Sequence, residues 1–141
     1  MKEFKYSIDR SLDKETLTDL ISDAMETGES GIGFWGLEAG TKEKGAWKKA
    51  REELVAEKGT EEIYYCEIFL QVLNDGATII IEDVYEEDGP WELTWEKLEK
   101  GCALYEEKFG NISREMEEGG WDALCAQLVF QLALFGEEVY C

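Results

Sequence analysis

Phe4, Tyr6 and Ile8 alternate with Lys5, Ser7 and Asp9, a period of two that predicts a strand over 3–9. Leu17, Leu20, Ile21, Ala24 and Met25 then recur at intervals of three and four, which predicts a helix over 13–27. Ser11 and Asp13 offer capping oxygens at its start, and Gly28 suits its end. Gly31-Ile32-Gly33-Phe34-Trp35-Gly36-Leu37 is short, apolar and glycine-rich, and reads as a buried strand or extended segment with close backbone approach. Trp47, Ala50, Leu54 and Val55 predict an amphipathic helix within 42–58, with a mixed-charge outer face.

Ile63 to Leu73 and Ala77 to Tyr85 are rich in β-branched and aromatic residues and flank Asn74-Asp75-Gly76. An Asp-Gly pair between two such runs predicts a β-hairpin, with Tyr64, Cys66, Ile68, Leu70 and Val72 sharing one face of its first arm. The second arm frays into acids that end at Gly89-Pro90. Thr94 is placed to cap a helix whose buried stripe is Leu98, Cys102, Tyr105 and Phe109, with Leu93 and Leu98 as a hydrophobic staple. Residues 111–120 are polar, contain Gly119-Gly120, and read as a loop. A last helix over 121–135 is apolar nearly all round, with Trp121, Leu124, Cys125, Leu128, Val129, Leu132 and Phe135 on one face. The fold class expected from this order is α+β: one domain over 1–141, a small, mostly antiparallel sheet with a central hairpin, and helices packed on one face.

Charge changes this ordinary picture. Thirty-three acids face fourteen bases, a net charge of −19. Between Gly59 and Glu96 there are eleven acids and no lysine or arginine, so this stretch alone carries −11. Such a field repels nucleic acid and attracts basic surfaces. With 44% apolar and 12% aromatic residues the chain is acidic and folded, unlike a solvated acidic tail.

No apolar run reaches the roughly 18 residues of a membrane span. Met1 to Tyr6 lacks the apolar region of a signal peptide, so the expected compartment is the cytoplasm. Cys66, Cys102, Cys125 and Cys141 are then expected to be reduced, the first three as small core residues.

Candidate chemistry is sparse. The chain has no histidine, which removes Ser/His/Asp and Cys/His arrangements and the usual general base. It has no C-x-x-C pair and no D-x-D-x-D-G loop, so no metal site and no cofactor are expected. The glycines at 31, 33 and 36 fit neither phosphate-loop pattern. The expectation is a protein that is not an enzyme and acts by binding.

Three segments carry a resemblance. Ala24-Met25-Glu26 followed by Gly31-Ile32-Gly33-Phe34-Trp35 resembles the A-L-E-G-G-I-x-Y-W segment of a family of small acidic phage and prophage proteins of Gram-positive bacteria. Leu93-Thr94-Trp95-Glu96-Lys97-Leu98-Glu99-Lys100-Gly101 is similar to its L-T-x-E-K-x-L-K-G. Asp122 through Gln131-Leu132-Ala133-Leu134-Phe135-Gly136-Glu137-Glu138-Val139-Tyr140 is similar to its closing D-x-x-x-Q-Y-A-L-F-G-E-V-V-Y. Order and spacing agree over most of the chain. The first glycine pair is spread into Gly28-Glu29-Ser30-Gly31, and 38–62 is longer and more charged. The resemblance implies a phage genomic context and carries no catalytic residue over; the matched positions read as core and turn.

Charge and implied context together give the leading expectation. The chain is expected to be a phage-encoded counter-defence inhibitor, of the anti-CRISPR or anti-restriction type, whose acidic surface fills the nucleic-acid groove of a basic host defence nuclease. The partner surface is expected on Glu61, Glu62, Glu67, Glu82, Asp83, Glu86, Glu87, Asp88 and Glu92, with Trp91 and Trp95 as aromatic anchors at its edge. The alternative is a protein that sequesters a nucleotide signal, with Trp35, Gln127 and Gln131 lining the pocket. A third reading is a homo-oligomeric structural phage protein with the last helix as interface. The chain is expected to be a monomer or homodimer, with no direct contact to nucleic acid or membrane.

Overall fold

The computed structural model describes residues 1–7, 10–26, 37–83 and 89–138. Its order is β1 (Phe4–Ser7), β2 (Arg10–Leu12), α1 (Lys14–Ile21) continuing as a π-helical turn (Ser22–Glu26), β3 (Leu37–Thr41), α2 (Ala46–Lys58), α3 (Tyr65–Asn74), β4 (Ile79–Asp83), β5 (Trp91–Leu93), α4 (Trp95–Lys108), α5 (Ile112–Glu118) and α6 (Ala123–Phe135). Two antiparallel sheets form: a β1–β2 pair, and a three-stranded sheet in the order β3-β4-β5. The fold is α+β.

Short polar side chains set where the helices begin. Asp13 accepts from the Thr16 N–H at 2.8 Å, Thr94 Oγ1 from Lys97 at 3.2 Å, Asn111 Oδ1 from Arg114 at 2.9 Å and Asp122 Oδ1 from Cys125 at 3.0 Å. Each satisfies an amide that the first turn leaves without a backbone partner. Leu93 and Leu98, the expected staple, are both fully buried.

Two expectations are corrected. The first arm of the hairpin, 63–73, is helix α3 and not a strand. Tyr65, Ile68, Phe69, Val72 and Leu73 follow helical spacing, and the last four are buried, whereas Tyr64 on the expected strand face is exposed. Asp75-Gly76 closes this helix instead of turning a hairpin. The Gly76 N–H donates to the Leu73 carbonyl at 3.0 Å, the Ala77 N–H to Val72 at 3.1 Å, and Gly76 has φ +84°. That is the Schellman pattern, in which a left-handed glycine satisfies the last carbonyls. Second, residues 111–120 hold helix α5, running from the Asn111 cap to Gly119 at φ +81°. The strand expected over 3–9 is present as β1 over Phe4–Ser7, with residues 8 and 9 outside the described residues, and β2, which the pattern did not reveal, lies beside it with Leu12 across from Phe4. The glycine-rich strand read at 31–37 falls outside the described residues except for Leu37, which opens β3.

One core unites these elements. Phe69 on α3 meets Phe130 on α6 at 6.0 Å between ring centres, and Phe4 on β1 meets Trp95 on α4 edge-on at 5.2 Å. Ile79, Ile81 and Leu93 bury one face of the three-stranded sheet, leaving Glu82 and Glu92 exposed on the other. Helix α3 packs against β4 and α6 against β5, on the buried side. Helices α4 and α6 cross at Gly101, where a β-carbon would lie 2.6 Å from Ala133 Cβ and 2.7 Å from the Val129 carbonyl oxygen. The apolar stripe of α6 is turned relative to expectation: Ala126, Gln127, Val129, Phe130, Gln131, Leu132 and Ala133 are buried, and Leu124 is exposed.

Candidate functional site

The β-sheet register decides which acids meet. Ile81 pairs with Ala39 and Trp91, while Ile80 pairs with Gly40 and Glu92 and Glu82 pairs with Glu38. Side chains alternate across a strand, so Glu82 and Glu92 share the outer face with Ile80. They stand diagonally across adjacent strands, an interval of about 7–8 Å. Beside them is an open hollow of about 350 Å³ lined by Ala39, Gly40, Thr41, Ile80 and Glu82. A side chain at Gly40 would meet nothing within 4 Å, so the surface there is bare.

The other expected acids are dispersed. Glu61 and Glu62 are exposed in the α2–α3 connection. That connection is held by Arg51, whose Nη2 donates to the Glu61 carbonyl at 2.8 Å. Glu67 sits in the first turn of α3, where both its oxygens accept from Lys58 Nζ at 2.8–2.9 Å. Asp83 ends β4 opposite Leu37. Glu86, Glu87 and Asp88 lie outside the described residues.

The aromatic anchors are corrected. Trp95 is 3% exposed, packed against Phe4 and covered by Lys2 Nζ at 4.8 Å from its ring, so it belongs to the core. Trp91 is half-buried on the opposite face from Glu92, edge-on to Phe135 at 5.4 Å. Neither ring borders the outer sheet face.

Cations from outside the acidic stretch partly neutralise its ends. Lys42 Nζ lies 2.9 Å from Glu92 Oε1, and Lys97 Nζ donates to the Glu92 carbonyl at 2.8 Å. The Glu92 hydrogen bond and charge hold the Lys42 ammonium above its ordinary range, and Glu67 does the same for Lys58. Among the described residues the ion pairs are Arg10–Glu106, Lys42–Glu92, Lys48–Glu52, Lys58–Glu67 and Arg114–Glu118. Glu61, Glu62 and Glu82 belong to none of them.

Of the alternative pocket, Trp35 lies outside the described residues, and Gln127 and Gln131 are 0% and 1% exposed in the interior of α6. Gln131 also lines a hollow of about 340 Å³ with Tyr105, Phe109, Asp122, Leu124, Cys125, Leu128 and Glu138. Sequence reasoning placed Phe109 and Leu124 on buried stripes; they are 56% and 41% exposed. Periodicity alone could not have found this, because it ranks faces and does not say which has a neighbour to cover it.

Several titratable groups of the interior are tied into the core or shifted by burial. Burial pushes the Cys102 thiol well up, and burial likewise raises Cys125, so neither is a thiolate near neutrality. Tyr6 donates a very short hydrogen bond to Glu106, whose Oε2 also accepts from the Ile112 N–H at 3.1 Å; burial and that carboxylate raise the Tyr6 hydroxyl. Tyr105 donates to Glu115 Oε2 at 2.8 Å and is raised by burial, then by Cys125 and Glu115. These are structural ties between elements. Among the described residues no three His, Cys, Asp or Glu side chains converge to hold a metal ion, and no helix is long and apolar enough to cross a membrane. Comparison with family models, with curated proteins and with solved structures finds no match for this chain.

Proposed function

We propose that the chain is a phage-encoded counter-defence inhibitor acting by binding, its acidic surface occupying the nucleic-acid groove of a basic host nuclease. The observation that supports this reading is the outer face of β4 and β5. Glu82 and Glu92 project there beside an uncovered hollow, on a protein of net charge −19 whose described ion pairs engage few of its carboxylates. Carboxylates held on a sheet face present to lysine and arginine the charge that a phosphate backbone presents, without the cost of ordering a flexible chain. The phage context rests on the three resembling segments and nothing more.

The test is charge removal on the folded protein. Glu82→Gln, Glu92→Gln, Glu61→Gln and Glu62→Gln together, all at exposed positions, are expected to leave the unfolding free energy within about 1 kcal/mol of wild type. They are expected to abolish capture of a basic nucleic-acid-binding protein that wild type retains at low salt and releases at high salt. Extending the set to Asp83, Glu86, Glu87 and Asp88 gives the full neutralisation. Undiminished inhibition by the fully neutralised protein at equal concentration would sink the acidic-surface mechanism.

A further inference from the structure

Phe109 and Leu124 are two of the large apolar side chains that the described surface leaves exposed, and both line the same hollow. The C-terminal end of α4 supplies Tyr105 and Phe109; α6 supplies Leu124, Cys125, Leu128 and Gln131. Tyr105, tied by its hydroxyl to Glu115 and edge-on to Trp121 at 5.5 Å, makes a rigid wall. At about 340 Å³ the space accommodates one or two large side chains.

Its charge is one-sided. Among the described residues the lining holds two carboxylates and no cation: Asp122 before α6, and Glu138 past its end. Asp122 Oδ1 is occupied by the Cys125 N–H, which fixes the carboxylate in place. A second copy of this chain would bring another −19 onto an acidic rim, so charge disfavours a self-association through this face.

We propose that this hollow is an anchor site for a cationic polypeptide segment: a large apolar side chain fills the space between Phe109, Leu124 and Leu128, and flanking lysines or arginines reach Asp122 and Glu138. Apolar anchors in a pocket supply most of the energy of such contacts, while rim charges orient them. The inference stands on α4 and α6 and does not require the β4–β5 acids.

The probe is a dye-labelled synthetic peptide with leucine, tryptophan and leucine flanked on each side by lysine and arginine, titrated at physiological salt and followed by anisotropy. Leu124→Asp, at an exposed position, is expected to weaken binding about tenfold or more. Asp122→Asn keeps the helix cap; combined with Glu138→Gln it is expected to lower the affinity and flatten its salt dependence. Bound peptide should slow alkylation of Cys125, which lines the hollow. Equal affinity for a peptide whose central three residues are serine and glycine would overturn the proposal. So would binding unaffected by Leu124→Asp but lost in the Glu82→Gln, Glu92→Gln protein, which would seat the peptide on the sheet instead. A dimer in sedimentation equilibrium that Leu124→Asp dissociates would also overturn it, by assigning the hollow to a second copy.

Discussion

Gly101 was legible as a motif position and not as a contact. Nothing in the sequence pairs it with Ala133, yet a β-carbon there would strike Ala133 Cβ and two α6 backbone atoms at 2.6–2.8 Å. An alanine usually stabilises a helix interior by about 1 kcal/mol relative to glycine. Here backbone must move, and overpacking typically costs about 1–3 kcal/mol. Gly101→Ala is therefore expected to lower the urea midpoint at unchanged slope; a higher midpoint would mean that α4 and α6 separate freely. Asp23 gives a residue-scale pH dependence. Its Oδ2 accepts from Trp121 Nε1 at 3.1 Å, and burial raises its carboxyl above the ordinary range. A folded pKa above the unfolded one means the native state holds the proton longer. Stability from this group is thus present in acid and lost as pH rises through the folded pKa. Asp23→Asn keeps an acceptor and removes the charge, so it is expected to be at least as stable as wild type at neutral pH. That advantage should vanish in acid, and denaturation across pH checks both limbs.

At the scale of elements, helices with a clear apolar stripe and a short polar cap were legible, α1 behind Asp13 and α4 behind Thr94, whereas α6 was legible from its apolar run and not from its Asp122 cap. The failure at α3 has a specific cause. Its run is apolar on nearly every side, so alternate residues and every third or fourth residue both look buried, and Asp75-Gly76 tipped the reading toward a turn between strands. Its end turns on the same glycine. A β-carbon at Gly76 would meet no atom within 4 Å, so substitution there tests backbone geometry alone. Gly76→Ala is expected to cost about 1–2 kcal/mol, the penalty for holding a left-handed residue with a β-carbon. Asparagine should lose less. Equal stability of both variants with wild type, read by thermal melts, would mean the Schellman turn does not hold the helix end. Helix α5 was missed because its single buried apolar residue, Ile112, sets no period.

Over the whole molecule, linear charge overstated local charge. The stretch from Gly59 to Glu96 contains no cation, but Lys42, Lys58 and Lys97 fold back onto it. Proximity of that kind depends on the tertiary fold, which is why the acidic surface was legible as composition and not as a site. Net repulsion still remains at −19. Added sodium chloride is expected to raise the melting temperature as the Debye length falls from about 30 Å at 0.01 M to about 10 Å at 0.1 M; a flat or falling profile would show that the surface pairs outweigh repulsion. The ties of the N-terminal hairpin have another consequence. Lys5 N–H donates to Glu99 and Tyr6 to Glu106, across 94 and 100 residues, while Phe4 rests on Trp95. On the ribosome, β1 emerges well before α4 and finds these docking partners only after α4 has cleared the exit tunnel. A strand made long before its partners is then among the last to settle, and until then Phe4 and Tyr6 are open to whatever chaperone or aggregating neighbour reaches them first.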